Sequence, residues 1–304
     1  MKLKKCIAAI SAMFLAVSGS CAKQETGNGN HWVSGGGNKP SGNQYSWPKA
    51  SDKTLRLMTY NSFYCKGNDS DPSKNGFSYA NTAAFARVIK ALAPDVIAIQ
   101  ELDKDASDRG RRNLLADIAA ATGEEWTAVF GEAADYAGGK IGPGLLVRKS
   151  LPVKSVRQVS IPGNEARVLI IAEFDGFVFI ATHLDTDDAK RKSSASTINY
   201  ESNKYDGVKP VFLAGDLNDS PFWTGGGAAF PVLKEEFAIK SPADGSLPAQ
   251  NGQTIDWILY DANGTETIEF MDSHIVKSVL FGSSLERLDT VSDHYPVILD
   301  IELK

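Results

Sequence analysis

Cysteine is scarce in this chain. There are 3 in 304 residues, and Cys6 and Cys21 stand close to the N-terminus, which leaves Cys65 alone in the body of the sequence. A single cysteine has no partner for an internal disulfide, so the fold must stand on its core. No Cys-x-x-Cys or His-x-x-x-His spacing occurs, which removes the usual structural zinc signatures. Nothing nearby activates Cys65, and it reads as a passive small residue. Long apolar runs are also missing: none reaches the roughly 18–20 residues that span a bilayer. Nor is there an excess of positive charge, with 32 Lys+Arg against 37 Asp+Glu. A protein that binds by bulk neutralisation of phosphates usually carries the opposite sign. A non-specific nucleic-acid coat protein is therefore disfavoured, although a locally basic groove stays open. What remains is 42% hydrophobic and 23% charged, an ordinary globular mixture that excludes disorder, collagen and repeat arrays.

The N-terminus reads as an address. Met1–Lys5 is basic, Cys6–Val17 is apolar but too short to span, and Ser18-Gly19-Ser20-Cys21 is small. That is the layout of a secretory signal. Two endings are open: lipidation of Cys21 after cleavage, as in a bacterial lipoprotein, or ordinary cleavage after Ala22. Ser18 stands where such lipoprotein boxes usually carry Leu, Val or Ile. The expected division is a signal at 1–21, a flexible tether at 22–51 and a folded domain at 52–304. Gly35-Gly36-Gly37 supports neither helix nor strand, and Trp47 is expected at the domain edge. The protein is thus expected to be exported and anchored in a membrane, at the periplasmic face or the cell surface. Without Lys2, Lys4 and Lys5 the charge becomes 29 against 37, or −8.

From about residue 52 strands and helices alternate. Leu55–Tyr60 and Val96–Gln100 read as buried strands. Asn81–Leu92 reads as a helix, because Phe85, Val88, Ile89 and Leu92 recur at helical spacing and Pro94 stops it. A second helix is expected at Asn113–Ala121, closed by Gly123, and a polar one at Ala189–Ser202. Further strands are expected at Leu145–Arg148, Val153–Ser160, Ala166–Phe174, Phe177–Thr182, Val211–Ala214, Ile255–Tyr260, Thr267–Phe270 and Val297–Ile301. Asp175-Gly176 signals a hairpin. Hairpins with a few helices between them imply mixed sheets, two of them face to face with helices outside.

The informative residues stand at strand ends. Asn61, Gln100-Glu101, His183 and Asp216-x-Asn218 each follow an apolar run, while Asp256 and Ser292-Asp293-His294 each precede one. In an antiparallel sheet the start of one strand lies beside the end of its neighbour, so all of them can collect on one rim. Each has a bland reading alone: a turn Asn, a surface carboxylate, a structural His. Together they combine oxygen ligands for a hard cation with a carboxylate able to fix a histidine tautomer.

This ordered set, with Thr182-His183-Leu184-Asp185 and Gly215-Asp216-Leu217-Asn218, resembles the endonuclease/exonuclease/phosphatase family over about residues 55–303. The resemblance implies a four-layer α/β sandwich and a hydrolase of phosphate esters that uses a divalent cation, magnesium or manganese. It implies that Glu101 and Asn61 serve the metal, that Asp293 supports the metal or the His294 loop, and that Asp216 and Asn218 hold the phosphate and the attacking water. His294, oriented by Asp256, would be the general base or the stabiliser of phosphate charge. His183 would contact the phosphate and help protonate the leaving oxygen. Arg167 matches an arginine that binds phosphate, its alternative being a surface cation. Pro143 and the long Phe63–Phe77 loop depart from the family pattern, and both are expected on the substrate side.

Three functions follow from this reading. The leading one is a metal-dependent phosphohydrolase acting outside the cytoplasm on a small or lipid-linked ester, working as a monomer. A secreted nuclease would need a basic track, for which Arg109, Arg111 and Arg112, or Lys190, Arg191 and Lys192, are the candidates. A surface binding lipoprotein would keep the fold and lose a residue such as Glu101, Asp216 or His294, and none is missing.

Overall fold

Along the first strand Leu57 and Thr59 face one way, and Met58 and Tyr60 the other, all of them buried. A strand buried on both faces needs a layer above and a layer below, and that requirement organises the whole domain. The computed structural model describes residues 45–249 and 252–304; the expected signal, Cys21 and most of the tether lie outside the described residues. In chain order the elements are β1 (Leu55–Asn61), α1 (Tyr79–Leu92), β2 (Val96–Lys104), α2 (Leu114–Thr122), β3 (Trp126–Phe130), β4 (Ala134–Tyr136), β5 (Gly139–Arg148), β6 (Ser155–Ile161), β7 (Arg167–Glu173), β8 (Val178–His183), α3 (Asp188–Ser202), β9 (Val211–Asp216), α4 (Phe230–Leu233), β10 (Ala238–Ile239), β11 (Asp256–Asp261), β12 (Ile268–Ile275), β13 (Ser278–Phe281), β14 (Ser284–Arg287) and β15 (Val297–Leu303).

The strands form two large mixed sheets. One runs β12-β15-β1-β2-β5-β3, with β4 on β5, and the other runs β10-β11-β9-β8-β7-β6. Between them lies the central core, where Leu57, Val96 and Leu145 of the first sheet meet Ile170, Phe179, Phe212 and Ile258 of the second. Outside the first sheet, Met58, Tyr60 and Ile97 pack on Phe85 and Ile89 of α1 and Ile118 of α2. Outside the second, Ile180, Leu213 and Trp257 pack on Ile198 of α3 and Leu233 of α4. Helix, sheet, sheet, helix is the expected four-layer α/β sandwich.

Local chemistry sets the ends of these elements. The Ser78 side chain accepts from Asn81 N to cap α1, and Asn113 caps α2 in the same way, with Gly123 closing it in the left-handed conformation. The Asp175-Gly176 hairpin forms and joins β7 to β8. Arg56 of β1 and Asp300 of β15 are register partners and make a buried bidentate ion pair at 2.7 Å, while Arg56 Nη1 also donates to the carbonyls of Trp47 and Leu92. Trp47 does sit at the domain edge: it packs on His274 and donates to Ser278 O.

Candidate active site

The rim forms because strand register aligns the polar residues. β8 and β9 run parallel with His183 opposite Asp216, and β9 and β11 run antiparallel with Asp256 opposite Asp216. One line across three strands thus carries His183, Asp216 and Asp256. From the other sheet, β1 and β2 run parallel and bring Asn61 level with Gln100. The loop before β15 adds Asp293 and His294. Its Ser292 Oγ donates to Asn61 O and accepts from His294 N, which ties the loop to the end of β1.

Glu101 is aimed by a bulge. Ile99 pairs with Gly144 and Leu102 with Gly142, so Gln100 and Glu101 together oppose Pro143. Proline has no N–H to give to a ladder and fits opposite an interruption. Pro143 is buried within β5 at this point rather than placed in a substrate-side loop. Glu101 takes φ +57°, an uncommon conformation for a side chain of its type. Gln100 turns inward instead: it accepts from Thr59 and donates to Thr182 O, bridging the two sheets beneath the site.

The side chains then interlock. Asn61 Nδ2 donates to Glu101 Oε1 and Asp216 Oδ2, both at 3.1 Å, while its Oδ1 accepts from Phe63 N at 3.0 Å. Asn61 therefore shows its amide nitrogen, and not its oxygen, to the carboxylates. His294 Nδ1 lies 2.8 Å from Asp256 Oδ2, and its Nε2 lies 3.8 Å from Asp216 and 4.0 Å from Asp293. Ser246, which no sequence pattern marks, donates to Asp256 Oδ2 at 2.6 Å and fixes it in turn. Asn218, in the left-handed conformation at φ +48°, reaches back so that its Nδ2 contacts His183 Nε2 at 3.1 Å and Leu184 O at 3.0 Å.

Charge in this rim is dense and poorly hydrated. Burial raises the pKa of Asp216 to about 7, with Asp256 adding to the rise and His294 and hydrogen bonds from Asn218 and Asn61 opposing it. Burial likewise raises Glu101 and Asp293 above ordinary carboxylates. For His294 burial opposes the proton, but the carboxylates of Asp256, Asp216 and Asp293 outweigh it and push the imidazole up to about 10. His183 moves the other way, because burial and the charges of Arg167 and His294 hold it well below the usual range. Arg167 sits at the start of β7, 3.5 Å from Glu165 and 3.8 Å from Asp185, mostly buried rather than on the surface.

A divalent cation fits this donor set. Four carboxylates, those of Glu101, Asp216, Asp256 and Asp293, share the rim. Buried Asp256 Oδ1 and Asp293 Oδ1 have no hydrogen-bond partner, and such orphans call for a ligand. Ligand atoms of Asp216, Asp256 and His294 lie within 4.8 Å of one another. All donors are oxygen or imidazole nitrogen, which suits a hard ion. Lys66 also escaped the sequence reading; its charge acts on both Glu101 and Asp293, and its ammonium covers the Phe63 ring at 3.6 Å.

Fold and site together define a class. The chain belongs to the endonuclease/exonuclease/phosphatase family, whose model matches residues 58–294. The family comprises hydrolases of phosphate esters. Several solved structures share the fold. The endonuclease/exonuclease/phosphatase from Bacteroides vulgatus is 20% identical, with 83% of this chain and 99% of that one covered at a TM-score of 0.61. The mannosyl-6-phosphatase of Bacteroides thetaiotaomicron is 16% identical over 81% and 99% of the two chains, TM-score 0.60. The human Nocturnin catalytic domain, with bound sulfate, is 15% identical over 86% and 97%, TM-score 0.59. No curated protein matches the chain significantly.

Proposed function

We propose that this protein is a divalent-metal-dependent phosphoester hydrolase, exported and lipid-anchored, acting on a small or lipid-linked ester in preference to nucleic acid. The observation that carries the reading is the convergence of Glu101, Asp216, Asp256, Asp293 and both histidines on one rim between the sheets. A binding protein gains nothing from crowding four carboxylates there, since each costs desolvation.

Glu101 and Asp293 would hold magnesium, or manganese, with Asn61 fixing the Glu101 carboxylate. When bound, the cation draws charge off the phosphate oxygens, which is what a phosphate ester needs before water attacks. The remaining work belongs to the chain. Asp216, its carboxylate steadied by Asn61 and the Asn218 N–H, receives the proton of the attacking water. His294, held cationic by three carboxylates and fixed by the Ser246–Asp256 pair, faces the phosphate as a stabilising charge. His183, held well below the usual imidazole range by burial and by the charges of Arg167 and His294, would orient the phosphate together with Asn218. Arg167 adds a second cation beside it.

Lipidation of Cys21 would keep the domain at a membrane surface, and the charge of −8 opposes approach to a polyanion. Turnover by the purified full chain with magnesium tests the substrate class. Sugar phosphates, inositol phosphates or phospholipids should be cleaved faster than duplex DNA. If duplex DNA is cut faster than all of them, the protein is a nuclease.

A further inference from the structure

Of the two basic clusters that the sequence offers as a nucleic-acid track, one turns its central cation inward. Lys192 is exposed, but Arg191 is only 5% exposed. Arg191 is the fourth residue of α3, and its guanidinium reaches back to the loop that follows His183. It donates to Thr186 O at 2.5 Å and to Asp185 O at 3.4 Å, and it pairs with Asp188. On its other side, Nε lies 3.9 Å from Asp219 Oδ1. A planar guanidinium can serve several acceptors at fixed angles, which an ammonium cannot.

Asp219 is the other half of the arrangement. It follows Asn218 directly and is wholly buried. Its carboxylate accepts from the N–H groups of Ala228 at 2.9 Å, Ala229 at 2.5 Å and Phe230 at 3.2 Å, and its carbonyl accepts from Trp257 Nε1 at 2.9 Å. Gly227 makes room for this, because at its φ of +77° a Cβ would lie 2.4 Å from Asp219 Oδ1. A buried carboxylate is costly unless its partners are fixed. This one ties the residue after Asn218 to α4 and β11, and it faces Arg191 of α3. Asn218 itself stands at φ +48°, a conformation that its surroundings hold. From there its Nδ2 reaches both His183 Nε2 and Leu184 O.

We infer that Arg191 and Asp219 are positioning residues: they lock the loops after β8 and β9 to each other from behind, and so fix His183 and Asn218 as a pair on the phosphate side of the rim. What the inference says of phosphate rests on the phosphoester reading above; what it says of the His183–Asn218 contact does not. Glu101 lies on β2 and Asp293 in the loop before β15, both of the other sheet. Removing Arg191 should therefore loosen phosphate binding and leave cation binding alone. The same inward turn removes Lys190-Arg191-Lys192 as a track for a polyanion, since its central cation is committed inside.

The test uses the full chain, with Arg191→Met and Arg191→Lys as variants and Lys192→Met as an exposed control. Long-range proton–nitrogen correlation spectra read the ring nitrogens of His183, one of 4 histidines in the chain. Calorimetry reads the affinity for magnesium alone, and then for inorganic phosphate with magnesium present. In both Arg191 variants the His183 Nε2 resonance should move toward that of an imidazole nitrogen that has lost its donor. Phosphate should bind about tenfold more weakly, the scale of one hydrogen bond to a charged group, and the magnesium affinity should not change. Lys192→Met should alter none of the three. Arg191→Lys keeps the charge and most of the packing, so it covers the case in which Arg191→Met does not fold. A folded variant with an unmoved His183 resonance and wild-type phosphate affinity would overturn the inference. So would magnesium and phosphate affinities that fall together, the mark of a general loss of structure. If the wild type with magnesium binds no phosphate, the phosphoester reading fails, and the His183 resonance alone decides the positioning.

Discussion

His294 shows how one side chain gathers the site. It has Asp256 at 2.8 Å on Nδ1 and two further carboxylates near Nε2, and Asp256 is in turn fixed by Ser246. Removing the imidazole leaves those carboxylates without their cation and the phosphate without a stabilising charge. His294→Ala should therefore lower kcat by about 10²–10⁴-fold while the circular dichroism spectrum stays that of the wild type. Asp256→Asn should follow the same course, since the amide can no longer hold the imidazolium. A His294→Ala protein that is folded and keeps more than about a tenth of the wild-type rate would remove His294 from the machinery. This part of the site was legible in the sequence, because Ser-Asp-His before an apolar run is a local pattern. Ser246 was not legible, because its partner Asp256 lies ten residues away across a loop with no periodicity. Lys66 was hidden for a related reason: left-handed turns and cation–aromatic stacking leave no spacing to read.

At the scale of elements, the buried strands were legible because apolar runs bounded by polar residues fix them. All of the expected strands and all three expected helices are present, with ends shifted by a few residues. The shifts have causes. β2 runs on to Lys104 because the ladder resumes beyond the bulge at Gln100-Glu101. β5 begins at Gly139 because glycine and proline, which read as a loop, serve here to oppose that bulge. β3, β4 and the β13–β14 hairpin were not read from the sequence, since their strands are mostly half-buried or exposed and carry mixed residues. Gly215 has the sharpest requirement. A Cβ there would lie 2.2 Å from the backbone oxygen of Thr182 on β8, and those two residues flank the His183–Asp216 register. Gly215→Ala should push β8 and β9 apart at the rim. Unfolding in urea should then show a loss of about 1–3 kcal/mol, and activity should fall further than stability explains. Full activity with an unchanged midpoint would show that the rim does not depend on this close approach.

The whole molecule joins a negatively charged domain to an N-terminal segment with the features of an export signal. The family and the four-layer sandwich are established for the domain, while anchoring through Cys21 is proposed. One acyl chain binds a membrane reversibly, but the two or three of a bacterial lipoprotein would hold firmly. Cys21→Ala should move the protein from the membrane fraction to the soluble fraction, or stall its processing. A wild-type protein that is fully soluble, with Lys23 as its first residue, would replace the anchor with ordinary signal cleavage.

The central claim is that buried carboxylates on this rim hold a hard divalent cation for phosphoester hydrolysis. Turnover of a phosphate ester by the purified full chain, with and without chelator, tests it most directly, and Glu101→Gln is measured beside the wild type. Chelation should abolish the wild-type rate, magnesium should restore it, and Glu101→Gln should require far more magnesium for less activity. Undiminished turnover in excess chelator would contradict the account.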